Sequence, residues 1–116
     1  MWRTALWGAA ALFIGCATAP LPTRELASAS TAVGAASGAR AQDVPGADED
    51  LRRAKDELAH AQALIDAGDN VSARGLLIRA RADADLAAER AHESHLRVQA
   101  AEIARQAEAL RAQIRF

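Results

Sequence analysis

After Gly75 the chain holds neither glycine nor proline, and no run of strand-forming residues takes their place. Those two residues are the ones that disfavour a helix interior most, by about 1 and 3 kcal/mol relative to alanine. Nothing in the segment therefore ends a helix once it has begun. The expectation is a single helix over residues 71–113, about 65 Å long at about 1.5 Å per residue. The other helical segments are too short to cover such a rod. Part of it must stand bare or meet something else.

The shorter segments come first along the chain. Pro22 and Thr23 suit a helix start, through a fixed φ or a capping hydroxyl. Leu26, Ala29, Val33 and Ala36 then recur at spacings of three and four. The stretch DVPGADED, residues 43–50, breaks that pattern: Pro45 and Gly46 are turn residues. Asp48, Glu49 and Asp50 place negative charge at the start of a second helix, where the helix dipole favours it. This second helix carries Leu51, Ala54, Leu58, Ala61 and Ile65 on one stripe. Gly68 suits the position just past a helix end, and Asp69 or Asn70 suits the cap of the next helix. AGDNVSARGLL thus predicts a tight helix–turn–helix, with Ala73 and Leu77 on the returning face.

Within the long helix the apolar stripe changes side. Ala73, Leu77, Ala80, Ala84, Ala87 and Ala91 form one line, and Leu96, Ala100, Ile103, Ala107, Leu110 and Ile114 form another. At about 100° per residue the second line lies roughly 140° around the helix from the first. The change falls at HESH, residues 92–95. The first line closes a bundle. The second, a regular seam of nearly three heptads with larger side chains, is coiled-coil-like and faces another copy, a partner helix or a folded-back contact. A frayed tail is the alternative, since three heptads are marginal alone.

These readings give an all-α fold: an antiparallel three-helix bundle with a long, protruding third helix, preceded by a signal peptide. The expected divisions are a leader over 1–15, a lipidated cysteine and tether over 16–21, a three-helix domain over 22–91 and a helical extension over 92–116. Composition agrees. The chain is 51% hydrophobic, but much of that is alanine, and from Ala17 onward Leu, Ile, Val and Phe make up 19 of 100 residues. That is close to the roughly 20% below which chains fail to form a packed core. The bundle must rest on helix propensity, which alanine, glutamate, glutamine and arginine supply.

The leader carries a different signal. Arg3 precedes an uncharged apolar stretch over residues 5–14. This is too short to span a bilayer, which takes roughly 20 residues, and fits the apolar core of a signal peptide. Leu12, Phe13, Ile14 and Gly15 followed by Cys16 resemble the lipobox of bacterial lipoproteins, with Phe13 where leucine is commonest. Cys16 is the only cysteine, so no CxxC pair or zinc set is available to it. The expectation is cleavage before Cys16 and acylation of its sulfur and new amino group, palmitate included, which holds a protein stably when two or more chains insert. Ala17 follows. In lipoproteins of Gram-negative bacteria an aspartate there tends to retain the protein in the inner membrane, so the expected site is the periplasmic side of the outer membrane.

Formal charge is −1, from 14 basic and 15 acidic residues. Nucleic-acid binders carry a basic surplus against phosphate, so no nucleic-acid partner is expected. His92, His95 and Glu89 lie on successive turns and are weak candidates for a metal; solvated histidines are the plainer reading, because HESH is not HExxH. Arg79, Arg90, Arg97, Arg111 and Arg115 form a basic ridge that either meets an anionic envelope polymer or pairs locally, as Glu93 with Arg97. No serine–histidine–acid set and no phosphate loop is present. No enzyme activity and no cofactor are expected.

With these residues in place, the mature chain resembles a family of small alanine-rich bacterial lipoproteins defined by a helical domain of unknown function. The likeness is carried by Pro22, Glu25 and Leu26, by Pro45, by Leu51, Ala54, Leu58 and Ala61, and by Gly68, Asp69, Ala73, Leu77, Ala80, Ala84 and Ala87. It implies a periplasmic helical protein attached to the outer membrane, with no catalytic residues. Relatives are often joined to an OmpA-like domain that binds peptidoglycan. The 116 residues include none, so cell-wall binding by that route is not implied. The expected function is that of a membrane-anchored structural or adaptor module, its partners the membrane through acylated Cys16 and a second copy or a helical envelope protein along the seam. The alternative is a binding module for an anionic polymer or a metal.

Overall fold

The computed structural model describes residues 18–115. The expected leader, the lipobox residues Leu12, Phe13, Ile14 and Gly15, and Cys16 lie outside the described residues, as does Phe116. Within them the chain forms α1 (Thr23–Gly38), a 3-10 turn (Ala41–Asp43), α2 (Ala47–Asp66) and α3 (Asn70–Ile114), with no strand among the described residues. The expected all-α, three-helix architecture with a long third helix is the one observed.

Each boundary has a local cause. Pro22 precedes the first turn of α1, and its carbonyl accepts from the Leu26 N–H at 2.9 Å; no side chain caps this end. After α1 the chain turns through Arg40, whose φ of 59° lies in the left-handed region that costs a non-glycine residue about 1–2 kcal/mol. Its guanidinium holds Asp43 at 2.7 Å. Gly46, at φ 86°, opens α2. Gly68, at φ 83°, closes it: the Gly68 N–H donates to Ile65 O at 3.0 Å and the Asp69 N–H to Leu64 O at 2.9 Å. Those two bonds satisfy carbonyls that the helix end would orphan. Asp69 then caps α3, accepting from the Ser72 N–H at 3.1 Å. The predicted turn is present, with aspartate as the cap.

Two buried clusters define how the helices run. The first joins Ala29 of α1, Ala61 of α2, and Leu77 and Ala80 of α3. The second joins Ala32 and Ala36 of α1, Ala47, Leu51 and Ala54 of α2, and Ala84, Ala87 and Ala91 of α3. So α1 and α3 run parallel, with α2 antiparallel to both. The start of α1 and the α2–α3 turn share one end of the bundle. There the Asn70 side-chain amide donates to Ala19 O at 2.9 Å, fastening the segment before α1 to the start of α3. At the other end α3 leaves the bundle and continues.

The core is almost wholly alanine; its two largest fully buried side chains are Leu51 and Leu77. Alanine at the contacts lets helices approach to the near end of the about 8–10 Å range of axis separations. This accounts for one departure from the sequence reading. In α1 the buried position is Ala32, while Val33 is only half-buried. Leu26, Leu58 and Ile65 also pack at the margin rather than in the centre. Along α3 all six expected positions, from Ala73 to Ala91, are buried.

Candidate functional site: the projecting half of the third helix

Beyond Ala91 no described residue of α3 is buried. The face that carried the core continues through Ser94, Val98, Glu102 and Arg105, mostly polar and unable to extend the bundle. The last fastening of α3 to the bundle comes from His95, whose Nε2–H donates to Ala39 O at 3.1 Å. Five residues earlier, Arg90 Nη1 donates to Asp50 Oδ2 at 2.6 Å.

Past that point the apolar residues stand on the other side and in the open. Leu96 is 55% exposed, Ile103 66%, Leu110 59% and Ile114 82%. Ala100 and Ala107 lie between them at heptad spacing, so the seam alternates large and small side chains. Gln99, Gln106 and Gln113 border it on one flank; Arg97, Ala104 and Arg111 border it on the other. The flanking arginines are not free. Arg97 pairs with Glu93 at 2.5 Å and Arg111 with Glu108 at 2.7 Å. On the back of the helix Arg105 pairs with Glu102. The seam is thus an apolar strip between electrically balanced borders, on the projecting half of α3. The structure sets all six seam residues along one side of α3, and no other helix among the described residues packs on them.

The other candidates are placed differently. Glu89, His92 and His95 sit on successive turns, each step rotating by about 60°, and all three are exposed. Among the described residues no group of three metal-binding side chains comes together. The arginine ridge divides: Arg79 and Arg90 turn into α2 while Arg97 and Arg111 pair along their own helix.

Sequence reasoning missed a polar ladder between α2 and α3. Asp50 and Glu57 are buried. Arg90 and Arg53 reach Asp50 at 2.6 and 3.4 Å, Arg79 reaches Glu57 at 2.9 Å, and Arg53 reaches Asp83 at 3.4 Å. Glu57 Oε2 has no hydrogen-bond partner. Burial, reinforced by the negative charge of Asp83, pushes the Glu57 carboxyl above its ordinary range, against the opposing pull of Arg79. Asp69 moves the other way, held low by its bond from Ser72. The missed signal was the seven-residue step from Asp50 to Glu57, which puts both carboxylates beside Ala54 at the edge of the apolar stripe.

None of the described helices is long and apolar enough to cross a membrane. Comparison with curated proteins and with solved structures finds no match. The sequence pattern of one family, described as a domain of unknown function (DUF4398), matches residues 24–114. That span takes in the bundle and the projecting half of α3 together. The chain belongs to the family of the DUF4398 domain.

Proposed function

We propose that this protein is an acyl-anchored lipoprotein of the bacterial envelope, acting without catalysis as a structural or adaptor module that holds a helical partner along the projecting half of α3. The observation that carries this reading is the exposed seam from Leu96 to Ile114 on a helix whose first half is packed into the bundle. The anchor rests on the lipobox-like residues before Cys16 and on Ala17, which favours the periplasmic side of the outer membrane. The geometry suits such a role. The segment following Cys16 is fastened at Ala19 to the base of the bundle, and the seam starts about 39 Å further along α3 at about 1.5 Å per residue. A partner would be met well away from the attachment.

Binding of a metal or an anionic polymer has less support. His95 is engaged with Ala39, and four of the ridge arginines, Arg79, Arg90, Arg97 and Arg111, are matched by carboxylates.

Two measurements test the reading separately. Cys16→Ser should move the protein from the membrane to the soluble fraction; membrane fractionation after normal cleavage would remove the anchor. A photo-crosslinking residue at position 103 should capture a helical protein in cells, and Leu110→Glu in the same chain should abolish that capture. Capture unchanged by Leu110→Glu would remove the seam.

A further inference from the structure

We infer that the occupant of the seam is the same seam of a second copy, laid antiparallel. This rests on reading residues 96–114 as a docking strip and is independent of the anchor. The argument begins with side-chain size. Taken about a two-fold axis level with Arg105, Leu96 meets the partner's Ile114, Ala100 meets the partner's Leu110, and Ile103 meets the partner's Ala107. Four of the six layers then set an alanine against a leucine or isoleucine, and the two end layers are closed by Leu96 with Ile114. Facing large against small keeps the helix separation even and fills the layers. A parallel pair would set alanine on alanine and leucine on leucine. Its axes cannot be right for both, and the alanine layers would be left with voids, which forfeit contact energy.

Register is fixed by the same pattern. Sliding the pair one heptad in one direction sets Leu110 against the partner's Glu93 and Ile114 against the partner's Glu89. Sliding it the other way carries Leu96 and Ala100 past the partner's Ile114, the last residue of the strip. Only the central register covers every apolar residue of the seam.

The borders agree with a copy of the chain rather than an acidic partner. In the antiparallel pair one flank brings glutamine against glutamine: Gln106 beside the partner's Gln106, and Gln99 beside the partner's Gln113. Amides are self-complementary donors and acceptors. On the other flank Ala104 faces the partner's Ala104 at the axis. Arg97 comes near the partner's Arg111, but each arginine already holds a glutamate of its own helix. Two neutral pairs meet there, not two bare charges. An isologous contact of this kind is the commonest way a chain closes on itself. With fewer than three heptads, it falls in the transient class, below roughly 1,200 Å² of total buried surface.

The test uses the full chain in cells with a short thiol-specific crosslinker, comparing three variants that each add one cysteine. Ala104→Cys places it at the axis of the antiparallel pair. Ala100→Cys places its two copies about 15 Å apart in that pair, but side by side in a parallel one. Arg105→Cys faces outward and sets the background, including any contribution from Cys16. Strong dimer from Ala104→Cys, with Ala100→Cys at background and loss on adding Ile103→Glu, is the expected result. Dimer from Ala100→Cys instead overturns the antiparallel arrangement. Background from both, with position 103 captured by a different helical protein, overturns the second copy and leaves the docking seam standing. Background from both and no capture at position 103 overturns the seam as well.

Discussion

The two halves of α3 share one unbroken helix and the same richness in alanine, yet only the first is buried. In residues 70–91 the core positions are five alanines and Leu77, while Val71, Ile78 and Leu86 of that same half stay exposed. In residues 92–114 the leucines and isoleucines are concentrated on one strip, and nothing among the described residues covers them. Side-chain size alone would have put the core in the wrong half. Close approach decides instead: alanine lets three helices pack within reach of each other, and the larger residues are left where no second helix among the described residues follows. The strip of small residues is buried between helices, and the strip of large ones is exposed on the projecting half of α3.

Substitutions can break that contrast. Leu77→Ala should have the largest effect, about 2–5 kcal/mol of stability, against a total of about 5–15 kcal/mol for a native domain. Leu77 and Leu51 are the largest fully buried side chains, so little else can compensate. Urea unfolding followed by circular dichroism should show a steep fall in the midpoint; an unchanged midpoint would mean that the bundle is not held by this core.

Next comes a matched pair. Ala84→Leu overfills the close contact and should cost about 1–3 kcal/mol. The same change at Ala107, on the exposed seam, should leave the bundle's midpoint where it was. Equal losses at both positions would erase the distinction between the halves.

A smaller effect is expected from the ladder between α2 and α3. Because the folded protein holds the Glu57 carboxyl above its ordinary range, the protonated form is favoured by folding. The associated stability is full below the ordinary carboxyl range and is lost as pH rises through the raised value. Glu57→Gln should therefore raise the neutral-pH midpoint slightly and flatten its dependence on pH. The lost ion pair with largely exposed Arg79 offsets this by no more than about 1 kcal/mol. A steeper pH dependence in the variant would contradict the burial argument.

Smallest of all, Ile103→Glu with Leu110→Glu should change bundle stability by no more than about 0.5 kcal/mol, as surface positions do. If that double variant unfolded the bundle, the projecting half would be part of the core after all.

Much of this was legible from spacing. The three-residue and four-residue steps located all six buried positions of α3, and Gly68 with Asp69 marked the turn before it. Less legible was whatever depends on a second helix. Asp50 reads as a charge favouring a helix start, and only the approach of Arg90, forty residues later, shows why it is buried. Arg40 gives no local hint of a left-handed backbone, because arginine has no preference for it. The seam was visible as a periodicity, but periodicity marks an apolar face without saying whether anything lies against it.

The hydrogen bond between Asn70 and Ala19 has a mechanical consequence. It ties the incoming chain to the base of α3, while α3 leaves the bundle at the opposite end. A pull between Ala19 and Ile114 therefore first loads that tie. Once the tie opens, the load passes to the interface of the parallel helices α1 and α3, from Glu25–Arg74 at one end to Ala39–His95 at the other. The helices would slide past one another in shear, straining these contacts together, instead of peeling apart one at a time. Resistance to such a load is set by the rate of unfolding rather than by equilibrium stability, so a thin alanine core can still bear tension along the axis of its longest helix.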